Sequence, residues 1–114
     1  MDWGKVTYIF FSLMSLTTTA GFIYEPNAIA LFLAAGVNII STILKIGVKN
    51  LLAAELLASS LVADLHLIPA FMVLTFVDNE RMAIALAIGA IVANVFSIAL
   101  ALIESAKSED KEEF

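Results

Sequence analysis

The stretch SSLVADLHLIPAF (59–71) places two ionisable residues, Asp64 and His66, and a proline, Pro69, inside an otherwise apolar segment. A carboxylate and an imidazole can each bind and release a proton, and histidine ordinarily titrates near physiological pH. Ionisable residues inside a membrane segment are costly and are therefore candidates for function. The residue types thus predict proton or small-cation transfer, with Asp64 and His66 as the exchanging or coordinating groups.

The spacing of these two residues argues against metal chelation. Side chains two positions apart on a helix point about 200° away from each other, whereas two ligands on one helix need a spacing of three or four. The chain has a single histidine and no cysteine, so we expect no metal site, no disulfide and no thiol chemistry. Because no nucleophile–base pair appears either, we expect no catalytic residue, no cofactor and no enzyme activity.

Polar residues also occupy the middle of the other apolar segments. Asn38, Asn94 and Ser15 lie at a depth similar to that of Asp64. Two interpretations remain open. The four residues form either a hydrogen-bonded cluster that fixes the helix register, with Asp64 protonated, or an ion or proton site at the midplane of the membrane.

The segment around Asp64 carries polar residues on opposed faces. On a helix, Glu55, Ser59 and His66 line one stripe, and Ser60 and Asp64 lie nearly opposite. We expect that the two faces cannot both point into a single four-helix bundle. This predicts a homo-oligomer in which this helix lies at the subunit contact. Proline removes one helical hydrogen bond and predicts a kink. The candidate transport or ion-binding residues are Asp64, His66, Asn38, Asn94, Glu55, Ser59 and Ser60, with Pro69 at the kink.

Composition predicts the environment of these residues. The 114 residues are 61% hydrophobic and 15% charged, with a mean hydropathy of +0.99. Soluble domains are about half apolar and about a quarter charged, and so short a chain has too little interior to hide the excess. The expected partner is the lipid bilayer. No basic patch is present, so nucleic acid is not expected.

Charged turns divide the chain into four apolar segments, at 6–24, 28–44, 51–77 and 82–103. A helix needs about 20 residues to cross the hydrocarbon layer, and irregular backbone is not tolerated against lipid. The sequence therefore predicts an all-α fold, an integral membrane four-helix bundle over residues 1–106. The remaining residues, 107–114, are predicted to form a charged, disordered cytoplasmic tail.

The second and fourth segments resemble each other. AIALFLAAGVNIIS (28–41) and AIALAIGAIVANVFS (83–97) share their first residues, a central asparagine and a serine three positions later. Either two parallel helical hairpins arose by duplication, or the match is a coincidence between alanine-rich helices.

The distribution of basic residues predicts the orientation in the membrane. The two loops on the other side carry only Arg81, whereas the termini and the loop after the second segment carry Lys5, Lys45, Lys49, Lys107 and Lys111. We therefore expect an integral protein of a bacterial inner membrane with both termini cytoplasmic. Lys45 is expected to extend to the lipid headgroups, and Glu104 to be solvated.

Two functions are compatible with this pattern. The first is a small oligomeric membrane protein that moves protons or a small cation through the polar midplane. The second is a non-catalytic accessory or assembly subunit, docked to a larger membrane complex by its polar layer and its acidic tail.

Overall fold

The computed structural model describes residues 3–46 and 52–112, with side chains as far as Lys107. This part of the chain forms four α-helices and contains no strand, so the prediction of an all-α four-helix protein is confirmed. The helices are α1 (Trp3–Tyr24), α2 (Ala28–Lys45), α3 (Ala53–Met72, continued by a π-helical turn over Val73–Val77) and α4 (Glu80–Glu112). Lys49, which contributes to the predicted orientation, lies outside the described residues.

Short turns join α1 to α2 and α3 to α4, and an asparagine ends each turn. The side chain of Asn27 accepts a hydrogen bond from the backbone N–H of Ile29 at 2.8 Å, and Asn79 accepts one from Met82 at 3.1 Å. Each bond satisfies one of the free N–H groups at a helix start. Asp78 adopts the left-handed conformation, with φ of 58°, which aspartate tolerates better than most residues.

The four helices form a ring. α1 packs between α2 and α4, and α3 also packs between α2 and α4, on the side opposite α1. Each helix therefore has two neighbouring helices, and its remaining surface faces outward.

α4 is longer than the sequence predicted. It has 33 residues and continues to Glu112, through most of the stretch expected to be a disordered tail. Alanine, lysine and glutamate favour helices, no glycine or proline interrupts residues 104–112, and extending an existing helix avoids the cost of nucleation. The expectation of a disordered tail from residue 107 is therefore wrong as far as Glu112, where α4 ends.

The interior of the bundle is apolar at one end and polar over the rest of its length. The apolar end adjoins the two short turns, and its fully buried members are Phe22, Leu31, Ala34, Leu67, Ala70, Ala83, Ala87 and Ala90. A smaller apolar cluster, Tyr8, Leu56 and Ala101, lies towards the end that holds both termini. Between these two clusters, the helices bury side chains that carry hydroxyl, amide, carboxylate and ammonium groups.

The outer surface of the ring is apolar. Four helical stretches, of 22, 18, 25 and 28 residues, are each long and apolar enough to cross a membrane. Large side chains such as Phe32, Leu65 and Phe96 are more than half exposed. Such a surface is typical of a protein that is covered by lipid.

Candidate functional site

Asp64 lies inside the bundle, where α3 meets α2. Residues four apart share a helix face, so α3 presents Ser60 and Asp64 together to Asn38 and Thr42 of α2. The amide of Asn38 donates to Asp64 Oδ1 at 2.6 Å and to the Ser60 carbonyl oxygen at 3.3 Å. The Thr42 hydroxyl lies 2.6 Å from Asp64 Oδ2 and 2.6 Å from the Ser60 hydroxyl. We call these four residues the carboxylate cluster.

The carboxylate cluster can accommodate two protonation states of Asp64. Thr42 has one hydroxyl proton and three oxygen neighbours, the third being the carbonyl oxygen of Asn38 at 3.0 Å. When Asp64 is ionised, Thr42 donates to it. When Asp64 is protonated, it donates to Thr42, which then donates to the Asn38 carbonyl. Rotation of one hydroxyl therefore allows the carboxyl to gain or lose a proton without moving any heavy atom.

A second group of polar residues surrounds Lys45, which is only 3% exposed. Its ammonium donates to the hydroxyl oxygens of Ser12 at 3.0 Å and Ser97 at 2.9 Å. The hydroxyls of Ser12 and Ser41 are 2.7 Å apart, and the ammonium lies 5.9 Å from the centre of the Tyr8 ring. We call Lys45, Ser12, Ser41 and Ser97 the ammonium cluster.

The expectation that Lys45 reaches the lipid headgroups is wrong. Side chains on a helix tilt towards its N-terminus, and for a residue at the last position of α2 that direction leads into the bundle. The hydroxyls of α1 and α4 meet the ammonium there. The sequence did contain a signal, because Asn38, Ser41 and Lys45 follow one another at spacings of three and four along a single stripe.

Three charged side chains are buried among the described residues, namely Lys45, Asp64 and Glu104. Glu104 forms an ion pair with Lys5, with 2.8 Å between Nζ and Oε2, which corrects the expectation that Glu104 is solvated. Lys45 is held by hydroxyls, and Asp64 by an amide and a hydroxyl. The Thr42 hydroxyl that contacts Asp64 lies three residues before Lys45 on α2, so the two charges are held one helical turn apart along that helix.

Asn94 is fully buried but does not join either cluster. Its amide donates to the Ser15 hydroxyl at 3.3 Å, and that hydroxyl donates to the Ala34 carbonyl oxygen at 3.2 Å. The side-chain oxygens of Asn94 and Asn38 are buried acceptors that have no donor within the described part of the chain. Such acceptors are uncommon in protein interiors, and each of these oxygens can accept a further hydrogen bond.

His66 lies apart from Asp64, on the side of α3 that faces α4. Its Nδ1 lies 2.8 Å from the Val62 carbonyl oxygen, so Nδ1 carries a proton and donates. The half-buried ring packs directly over Gly89, where a Cβ atom would come within 2.8 Å of Nε2. The structure therefore does not bring the two candidate ionisable residues of the opening stretch together.

The two polar faces of α3 both fit into one bundle, contrary to expectation. Ser60 and Asp64 face α2, His66 faces α4, and the Ser59 hydroxyl is buried and donates to the carbonyl of its own helix at 3.1 Å. Ser59, Ser60 and Asp64 are buried and His66 is half-buried because α3 has two neighbouring helices. Glu55 is exposed. The homo-oligomer stays a prediction, without support from the faces of α3.

Pro69 lies inside α3, which continues through it as far as Met72. The ring removes the hydrogen bond to the carbonyl of Leu65. Four residues after Pro69 the backbone widens into the π-helical turn that begins at Val73. The kink at Pro69 stays a prediction.

One family model matches the chain. The match covers residues 25–105 of 114 and carries the description of a family of unknown function, DUF6394. It contains the whole carboxylate cluster and leaves out α1, which contributes Ser12 to the ammonium cluster. No curated protein and no solved structure matches.

Proposed function

The chain belongs to DUF6394, a family of unknown function, and we propose that it is a membrane protein that moves protons through its polar interior. The observation that carries this proposal is the environment of Asp64. Its carboxyl is buried between α2 and α3, and its hydrogen-bond partners serve both its protonated and its ionised form. A group that exchanges a proton inside a membrane needs such an environment, because reorganising a dry interior at each transfer is costly.

The membrane location rests on the four apolar spans and on the apolar outer surface. The excess of lysine at the end that holds both termini favours a cytoplasmic position for that end, in an inner membrane. In this orientation the short turns of α1–α2 and α3–α4 lie on the outer side.

Protons fit this interior better than metal cations do. Within the described residues, no three histidine or acidic side chains converge to hold a metal ion. The interior already contains a buried positive charge, the ammonium of Lys45. An interior that already contains its own cation has less need to bind another one.

The distribution of polar groups indicates a route for the protons. From the end that holds the termini, buried polar groups follow in succession: the Lys5–Glu104 ion pair, the ammonium cluster and Asp64. The small apolar cluster of Tyr8, Leu56 and Ala101 lies between the first two, so a proton must pass it. Beyond Asp64 the buried side chains are mostly apolar as far as the short turns, and the buried hydroxyl of Thr19 is bonded to the backbone of its own helix. Protons therefore reach Asp64 from the cytoplasmic side, and the apolar end must open for them to leave on the other side.

The direct test is proton flux into liposomes that contain the purified protein and a pH-sensitive dye. Asp64→Asn preserves the shape and hydrogen-bonding capacity of the side chain but cannot exchange a proton, so the flux should fall to that of empty liposomes. The matched control is Glu55→Gln, which removes an exposed carboxylate from the same helix and should leave the flux unchanged. Equal flux in the wild type and Asp64→Asn would contradict the proposal.

The second candidate is an accessory subunit of a larger membrane complex, and the length of α4 favours it. α4 has 33 residues, of which a stretch of 28 accounts for the apolar span, so its last turns continue as a charged helix. Purification in mild detergent separates the two functions. A homo-oligomer that conducts protons supports transport, whereas co-purification with unrelated membrane subunits and absence of flux support the accessory role.

A further inference from the structure

The ammonium group of Lys45 has the surroundings of a bound cation. The hydroxyl oxygens of Ser12 and Ser97 lie 3.0 and 2.9 Å from Nζ, and they belong to two different helices. The ring of Tyr8 lies at 5.9 Å, a distance at which an aromatic face attracts positive charge. Hydroxyl oxygens are also ligands for small hard cations. The same surroundings therefore suit a free ion that carries one positive charge.

The charges around this position favour one cation. Asp64 contacts Thr42, which lies one helical turn before Lys45 on α2, so its carboxylate is the buried negative charge close to the ammonium cluster along that helix. The negative charge of Glu104 is balanced by its ion pair with Lys5. Removal of the ammonium alone would leave the carboxylate of Asp64 without its attracting charge. A buried charge in this condition is costly and draws in a replacement cation.

We propose that the Lys45 side chain occupies a monovalent-cation site and thereby keeps alkali cations out of the polar interior. This inference rests on the proposed function and narrows its substrate class to protons. The tethered ammonium fills the position that a sodium ion would otherwise occupy, and it cannot leave. Only a proton can then be exchanged at Asp64. Lys45 is thus a specificity-determining residue.

The test is the thermal unfolding of the full-length protein in detergent, in NaCl and in choline chloride at equal ionic strength. Lys45→Met keeps an unbranched apolar stem but lacks the charge and the donor. The Tm of this variant should be higher in NaCl than in choline chloride by about 4 °C or more. This shift is expected when the sodium concentration is about ten times its Kd or more and sodium binds only the folded state. The wild type should have the same Tm in both salts.

Two further variants control the comparison. Lys107→Met removes an exposed lysine and should behave as the wild type does. The double variant Lys45→Met with Asp64→Asn should lose the sodium effect, because the carboxylate that attracts the ion is gone. Equal Tm values for Lys45→Met in the two salts would overturn the proposal, as would an equal sodium effect in the wild type.

Lys45→Gln serves as a second variant, because its amide retains a donor for the surrounding hydroxyls. If neither variant folds in NaCl or in choline chloride, sodium does not replace the ammonium, and the proposal is overturned. The measurement reports binding and does not depend on flux. Sodium stabilisation of Lys45→Met without proton flux in the wild type supports the cation site and refutes the proposed function. Proton flux in the wild type without sodium stabilisation of Lys45→Met supports the proposed function and refutes the cation site.

Discussion

At the scale of single residues, the buried charges of Asp64 and Lys45 are stabilised by hydrogen bonds with neutral groups on other helices: Asp64 accepts such bonds, and Lys45 donates them. Transfer of an ion from water to an apolar medium costs far more than one hydrogen bond returns. The carboxylate cluster offsets this cost for Asp64, and the ammonium cluster does so for Lys45. Thr42, which contacts Asp64, lies one helical turn before Lys45 on α2, so the two charges share one part of the interior. The two charges are therefore expected to depend on each other.

This dependence predicts a favourable coupling in a double-mutant cycle. In choline chloride, Asp64→Asn and Lys45→Met should each lower the free energy of unfolding, because each leaves the other charge unbalanced. The double variant should be less destabilised than the sum of the two, with a coupling of about 1–3 kcal/mol. Reversible unfolding in mixed detergent micelles measures all four proteins. Additive effects would mean that the two charges do not interact.

The carboxylate cluster also predicts how Asp64 responds to an apolar replacement. Asp64→Leu removes the acceptor of Asn38 and the partner of Thr42, and leaves both polar groups buried. The expected loss is about 1–3 kcal/mol of the free energy of unfolding, because one N–H of Asn38 loses its acceptor, whereas Thr42 keeps the Asn38 carbonyl and the Ser60 hydroxyl. Asp64→Asn should lose less. A Leu variant that is as stable as Asp64→Asn would show that the cluster contributes little.

At the scale of helices, the contact between α3 and α4 depends on a glycine, Gly89. The ring of His66 covers Gly89, and its Nδ1 is tied to the Val62 carbonyl, so the ring cannot move aside without losing a hydrogen bond. This close contact explains why residue 89 of α4 is a glycine. His66 thus has a packing contact with α4, and its role in proton exchange stays a prediction.

Gly89→Ala should destabilise the protein by about 1–3 kcal/mol through overpacking. The matched control is Gly36→Ala in α2, where an added Cβ meets nothing within 4 Å. This control should be neutral or stabilising, by up to about 1 kcal/mol, since alanine favours helices over glycine. His66→Ala should relieve the defect of Gly89→Ala. Equal effects of the two glycine substitutions in thermal unfolding would contradict the packing geometry.

The sequence predicts the helices well but not their rotation about their own axes. Hydropathy and length identify four spans, and depth alone places Asn38, Asn94 and Asp64 inside. Whether Asp64 meets Asn38 or Asn94 depends on how α3 packs against two neighbours, and no local pattern records this. The sequence also does not predict where the Lys45 side chain points, because a lysine at a helix end can reach either the headgroups or the interior.

At the scale of the whole molecule, the two halves of the bundle interior differ in chemistry. The polar half adjoins the end that holds the termini, and the apolar half adjoins the short turns. The asparagine and serine that recur in α2 and α4 are all buried, and Ser41 and Ser97 both belong to the ammonium cluster. The resemblance between the two helices therefore coincides with the polar lining of the interior. The duplication itself stays a prediction.

The proposed orientation predicts the location of two reporter sites. A reporter fused after Phe114 should be active in the cytoplasm, and a reporter inserted at residues 78–81 should be active on the outer side, because lysine is concentrated at the other end. Paired fusions of an alkaline phosphatase and a fluorescent protein give opposite signals on the two sides. Inverted signals would reverse the direction from which protons reach Asp64.

The most direct measurement of the central claim, that Asp64 exchanges a proton inside the bundle, is an infrared titration of the protein in lipid. The carbonyl stretch of a protonated carboxyl appears at low pH and disappears as the group ionises. A band that titrates in the wild type and in Glu55→Gln, and is missing in Asp64→Asn, is the result that this account predicts. A wild-type spectrum without a band that is lost in Asp64→Asn, at any pH at which the protein stays folded, would contradict it.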